Sequence, residues 1–595
     1  AIGGSALTAN TSGTWNFAGA KNALLANTTG SYNTAIGGSA LQANTTGSRS
    51  IAIGYQAGYS NTTGSINAIG DGALYSNTTG AGNVALGGGN NTALYPSLYA
   101  NTTGNYNTAV GMGSLGQNIT ASNLTAVGYQ ALYSNTGGAN TAVGAQALYS
   151  NTSGIYNTAI GGGVVGSNTG ALGQNTTGQS NTAMGYGALA LNTTGSQSTA
   201  VGYQALYTQT TNSNSTAVGA YALKLSTGNY NTALGTSALT TNSSGENNVA
   251  LGMQALTSNT TASNNTAVGY QAGYSNTTGT QNNFFGTQAG YSSTTDNQAF
   301  FGYQAGYNTT TGTQNTVMGG YRPFYSNTTG AYNTVFGSQA LYSNTTASYN
   351  TAVGYQAGYS NTTGSVTAFG YKALYANTTG TENTALGYGV AQSVTTGIKN
   401  TALGYLTAYQ LTTGNQNTAV GRQALQGATT GSSNDAYGHN SQYSTTTGNY
   451  NVSVGDSALF SNTTASNNNA LGYQAMYSNQ TGTQNNAFGY QALYNSTGND
   501  NTAMGQRAGY STTSGTDNSA FGSTALYSNT TGAYNTALGR DSLRSNTTAS
   551  HNTAVGYQAL YTVSVGADNT AMGYQALQNY TGSNSCAFGY QAAQL

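Results

Sequence analysis

Residues 265–279 read NTAVGYQAGYSNTTG, and the same fifteen letters return at 350–364. The offset, 350 minus 265, is 85 residues, or five times seventeen. Triplets of the form A-φ-G, with φ a larger apolar residue, recur about 35 times at this spacing, occasionally one residue shorter or longer. The aligned glycines open as Gly3, Gly19, Gly37, Gly54, Gly70 and Gly87. They close as Gly522, Gly539, Gly556, Gly573 and Gly589. A consensus copy reads N-T-A-φ-G-Y-Q-A-L-Y-S-N-T-T-G-x-Y.

A period this short excludes helical hairpin repeats, which need about 34 residues, and Gly near the middle of the copy with N-T-T-G near its end would break a helix. The spacing predicts an all-β chain, a parallel β-solenoid of about 34 coils, each with two short strands and two turns. Residues 1–595 are then one continuous array, on the order of 160 Å long at one strand spacing per coil. Two coils are longer, at 87–111 and 161–185, and such insertions map to loops on one face.

Stacking accounts for the composition. Each residue lies on its own copy, so every row must tolerate itself. Like charges on adjacent strands repel, and only 3% of this chain is charged, with ten basic and ten acidic residues. Asn, Thr and Tyr ladders stack well. The φ row opens aliphatic (Ile36, Ile53, Ile69, Leu86) and later turns aromatic (Phe285, Phe301, Phe336, Phe369). The in-register apolar rows also argue against disorder, which a low-charge polar composition alone would allow. Within the triplet, Ala and φ are adjacent and point to opposite faces. The large φ row is expected to fill the inside. The small Ala row on the other face then suggests lateral contact with a second chain, as a homotrimer or filament.

The balanced charge offers no basic patch for nucleic acid, and no apolar run approaches the roughly 18 residues of a membrane span. The chain begins in AIGGSAL and ends in GYQAAQL, both inside a repeat, as expected of mature material or a segment of a longer chain. No cofactor, metal or catalytic constellation is expected. A single cysteine, Cys586, excludes an internal disulfide framework and reads as a small core residue. His439 and His551 lie far apart and are read without an acid at a repeat-matched position. GGG at 87–89 and 161–163 has no following Lys and is not a phosphate loop.

The motifs AIGGSAL, AIGYQAG and AVGYQAL recur along the whole chain. They resemble the YadA-like head repeats of trimeric autotransporter adhesins, and similar repeats of phage tail-fibre and other fibrous surface proteins. The resemblance implies a left-handed parallel β-roll, assembly as a trimer, and a role in surface attachment. The period here is longer than the family's, about fourteen, with the extra residues at the N-T-T-G turn.

Two sets of residues are candidates for function. The N-T-T-G turns supply N-glycosylation sequons at Asn27, Asn44, Asn61, Asn77, Asn101, Asn276, Asn327, Asn344, Asn361, Asn377, Asn462, Asn529 and Asn546. Turn chemistry alone explains the same pattern. Four successive coils keep T-T-G and replace the Asn by Val394, Leu411, Ala428 and Thr445. Thr-linked sugars would suit the same turn. The second set is the tyrosine rows, Tyr55, Tyr129, Tyr270 and Tyr355 after the glycine and Tyr59, Tyr133, Tyr274 and Tyr359 four residues on. They suit sugar stacking or an interface, or merely stiffen the stack. A flat ice-binding array is disfavoured, since each strand carries a single Thr.

The expected function is an extracellular structural fibre or adhesin shaft, a rigid uncharged rod at a cell surface or on a virion. The alternatives are a glycan-coated filament scaffold, and a carbohydrate-binding module that meets glycans or a host surface through its tyrosine ladders. An enzyme is not expected.

Overall fold

Every coil contributes one short strand, and its three letters decide which way it faces. In the computed structural model, which describes residues 1–89 and 95–594, the described residues form thirty-four strands, β1 (Phe17–Gly19) to β34 (Cys586–Phe588), and no helix. The chain divides into two compact units, Ala1–Gln298 with the first sixteen strands and Ala299–Leu595 with the other eighteen. In each unit successive strands pair in parallel, and in register apart from a shift between Phe301 and Tyr303 where the second unit's first two strands meet. Thr199, Ala200 and Val201 lie on Thr216, Ala217 and Val218. In the second unit, Thr384, Ala385 and Leu386 lie on Thr401, Ala402 and Leu403. The fold is a parallel β-solenoid with a period of about seventeen residues.

The expected second strand does not form. The segment G-Y-Q-A-L-Y-S is a run of turns whose Gln and Leu take left-handed backbone, as at Gln204 (φ 51°) and Leu206 (φ 50°). Such residues cost about 1–2 kcal/mol each. Hydrogen bonds between coils offset this, with Leu206 N donating to Ala222 O (3.0 Å) and Gln204 N to Tyr186 O (2.9 Å). The triplet glycine is fixed by close approach. At Gly202 (φ 136°) a Cβ would lie 2.5 Å from Gly219 O. Gly19 is not in this row. It pairs with Ile36, and Ala20 takes the place facing Gly3.

The interior reverses the expected order. The strand Ala is fully buried, as at Ala200 and Ala217, and it meets the Ala-Leu pair of the turn side, Ala205 and Leu206. The φ residue points outward, with Ile36 41% and Phe369 48% exposed. A seventeen-residue coil is too thin to hold two large side chains between its sides. Where Phe284 and Phe300 replace the inner Ala, the facing Leu position is Gly273, Gly290 or Gly306.

Two asparagine rows close the core. Asn44 Nδ2 donates to Asn27 Oδ1 (2.7 Å), Asn61 to Asn44 (3.0 Å) and Asn77 to Asn61 (2.8 Å). In the other row Asn33 Nδ2 donates to Gly47 O (2.8 Å), and Asn33 Oδ1 accepts from Ser50 N (2.9 Å). A buried amide costs free energy unless it is hydrogen-bonded, and in these coils each supplies the partner for the next.

Candidate functional site: the outer ladders

The sequon asparagines are interior residues. All thirteen named above are 0% exposed. In each, Nδ2 donates to the carbonyl three residues on, as Asn276 to Gly279 (2.9 Å) and Asn361 to Gly364 (2.7 Å). An N-linked sugar is carried by that nitrogen, and the folded coil gives it no exit. The packing supports the turn reading of these residues. It also explains the four substitutions, because Val394, Leu411, Ala428 and Thr445 sit at the same buried position. The first Thr is retained for a different bond. Thr395 Oγ1 donates to Thr412 O (3.3 Å) and Thr412 Oγ1 to Thr429 O (2.9 Å). The second Thr, as Thr29, Thr46 and Thr63, faces solvent.

The tyrosine rows are on the surface, and their rings lie on one another. Tyr59 stacks on Tyr75 with centroids 4.9 Å apart and planes within 3°. Tyr133 stacks on Tyr149 (5.4 Å) and Tyr274 on Tyr291 (5.0 Å). Tyr325, Tyr342, Tyr359 and Tyr375 continue one row at 5.1–5.4 Å. Tyr355, Tyr371, Tyr388 and Tyr405 form the other at 4.8–5.6 Å. Tyr55, Tyr270 and Tyr355 are exposed, and Tyr129 is half-buried. Within these stacks the faces a sugar would need are taken by neighbouring rings, and edges and hydroxyls point outward. Burial raises the phenol pKa of Tyr75, Tyr133, Tyr359 and Tyr494, and neighbouring tyrosines add to it.

A glutamine ladder runs between the two rows. Gln271 Nε2 donates to Gln254 Oε1 and Gln575 Nε2 to Gln558 Oε1, both at 2.9 Å. Some coils place a cation there. Lys372 Nζ lies over the rings of Tyr371 and Tyr375, at 5.4 and 5.3 Å, and Arg507 over Tyr490 and Tyr510, at 5.7 and 5.8 Å. Contacts of this kind hold a cation against the edge without neutralising it.

Both histidines have an acid one coil on, contrary to the sequence reading. His439 Nδ1 is 3.3 Å from Asp456 Oδ2, and His551 Nδ1 is 3.8 Å from Asp568 Oδ1. The offset of seventeen, from 439 to 456 and from 551 to 568, was the available signal. Ser457 Oγ donates to Asp456 (2.6 Å) and not to the imidazole, so no nucleophile is activated. Asp541, buried, is shared by Arg540 and Arg544. Among the described residues no group of three or more His, Cys, Asp or Glu is placed to hold a metal, and no helix is long and apolar enough to cross a membrane. Cys586 is exposed on its strand, at the Thr position and not in the core.

Of the two longer coils, residues 90–94 of the first lie outside the described residues. The second forms an ordered loop at 162–170 that exposes Val164 and Val165 and is tied by Val164 N to Thr169 Oγ1 (3.2 Å). The outward φ row is the larger surface. In the second unit it holds Phe336, Phe369, Leu386, Leu403, Leu471 and Leu538, each roughly half exposed. The row runs through all eighteen strands of the unit, and a contiguous exposed apolar surface of this kind marks an interaction site.

These ladders define the class of the molecule, a β-solenoid repeat protein whose surface rows repeat with its coils. No family model matches the chain, and no curated protein does.

Proposed function

We propose that this chain is a structural element of an extracellular fibre or adhesin shaft, at a cell surface or on a virion, and that it associates laterally with copies of itself. The outward φ row carries this reading. A strand face of exposed Ile, Leu, Val and Phe stays soluble poorly alone and suits a partner with the same repeat. The low charge and the uniform rows fit a scaffold whose function is to hold shape.

Sedimentation of the purified chain tests the reading. A mass of two or more chains is expected at micromolar concentration. Replacing Leu386, Leu403 and Leu471 by Lys should return it to one chain with the coil fold intact by circular dichroism. A wild-type mass of one chain throughout would sink it.

A glycan-coated filament is the second reading, moved from Asn to Thr. The observation that favours it is the exposed second Thr of the T-T-G turns, as at Thr29 and Thr46. Mass mapping of the native material for hexose on T-T-G peptides is the test.

A further inference from the structure

The second unit is neutral in sum, yet its charges are sorted by edge. Two edges flank the outward strand face. One follows the triplet glycine and carries the Tyr and Gln ladders. The other precedes the strand, at the residue after G-x. On the first edge lie Arg322, Lys372, Arg422, Arg507, Arg540 and Arg544. Only two acids join them, Asp456 and Asp541, and both already face a basic side chain. On the second edge lie Glu382, Asp500, Asp517 and Asp568, all exposed, against one cation, Lys399. Asp435 adds a carboxylate at the first outward position of its strand, beside that edge. Six cations less two acids leave +4 on the first edge, and four acids less one cation leave −3 on the second.

The charges also agree in height. Lys372 follows the strand Val366–Phe369, and Glu382 precedes the next, Asn383–Tyr388. Arg507 follows Thr502–Met504, while Asp500 precedes that strand and Asp517 precedes the next, Ser519–Phe521. Arg422 follows Thr418–Val420, and Asp435 opens the next strand, Asp435–Tyr437. These partners are not paired within the chain. Among the described residues the ion pairs are His439–Asp456, Arg540–Asp541, Arg544–Asp541 and His551–Asp568. The face between the two edges is about 20 Å wide at 3.3 Å per residue, beyond the reach of an intramolecular contact.

From this we infer that a second copy of the chain docks on the strand face in parallel and in register, its acidic edge against the first copy's basic edge. The geometry selects the orientation. Rotation about an axis along the stack brings the acidic edge of one copy to the basic edge of the next. A two-fold axis across the stack brings like edges together, and like charges repel. A shift of no more than one coil, about 4.8 Å, joins Lys372 to Glu382 and Arg507 to Asp500 or Asp517 of the neighbouring copy. The apolar row supplies affinity without specifying register, because every coil resembles the next. The sparse charges supply register. This inference rests on the lateral association proposed above.

Charge exchange in the full chain tests it. Reversing one edge, Lys372→Glu with Arg507→Glu, should weaken self-association at least tenfold by sedimentation at low salt. Reversing the other, Glu382→Lys with Asp500→Lys and Asp517→Lys, should do the same. All five substitutions together should restore it, which a merely unfolded variant cannot do. Raising the salt should weaken the wild-type complex, because exposed charges are screened. In a Cys586→Ala chain, Lys372→Cys with Glu382→Cys should form disulfide-linked multimers. An oligomer indifferent to both reversals, or one that fails to cross-link, overturns the parallel register and leaves lateral association standing. A wild-type chain that sediments as one copy overturns both.

Discussion

Phe284 and Gly290 share one volume: a Cβ at Gly290 would fall 2.3 Å from the Phe284 ring. Gly273 stands on the other side of the same ring, where a Cβ would lie 2.6 Å away. Both glycines occupy the place filled by Leu in most coils. Their φ, near 60°, is close to that of those leucines, so backbone conformation alone does not require Gly here. The constraint is the ring. Gly290→Ala should cost about 1–3 kcal/mol by overpacking. In a Phe284→Ala background the same change should cost little or stabilise the chain, since it then fills part of a cavity. Chemical denaturation of the two single variants and the double variant checks this, and additive effects would refute the shared volume.

The buried asparagine row predicts a substitution that looks harmless and is not. Asn77 Nδ2 donates to Asn61 Oδ1, and Asn77 Oδ1 accepts from Asn101 Nδ2, both at 2.8 Å. Asn77→Leu places an apolar group where Leu411 is natural elsewhere, yet it leaves Asn61 Oδ1 without its donor. A loss of about 1–3 kcal/mol is expected for a buried polar atom left unpaired. The change Leu411→Asn should destabilise as well, because its coil neighbours Val394 and Ala428 offer no amide. Thermal melting of both variants is the measurement.

Alkaline pH should loosen the stack. Tyr359 and Tyr494 have raised pKa values, through burial first and neighbouring tyrosines second. The folded state therefore holds its phenol protons more tightly than the unfolded chain, whose tyrosines ionise near pH 10. Below that pH the contribution is fully present. It is lost as pH rises from about 10 through the folded value. The melting temperature should fall over this window, with phenolate absorbance rising later in folded than in unfolded protein.

Expression in a host that attaches N-linked sugars should leave Asn276 and Asn361 unmodified in folded material. Both are 0% exposed, with Nδ2 held at 2.9 and 2.7 Å by Gly279 and Gly364. Peptide mass mapping of the soluble, folded fraction decides. Full occupancy there would contradict the buried position.

Much of the fold is legible in the letters. The period of seventeen, with one small glycine row and self-tolerant neighbours, determined a parallel stack of short strands in register. Scarcity of charge follows from the same stacking. What the letters left open was direction. Alternation places Ala267 and Val268 on opposite faces without saying which is inside. The coil's thickness decided that, because the turn-side Leu already fills most of the interior and the residue beneath it is small, Ala in most coils and Val335 or Ser453 in others. The same thinness put Asn276 inside, where its amide meets Asn259 Oδ1 (3.3 Å). Tertiary structure also closed the ring faces of the tyrosine stacks and brought His439 to Asp456, since both depend on height along the stack. In NTAVGYQAGYSNTTG the repeat itself was readable. Which of its residues meet solvent was settled only when the coils lay on one another.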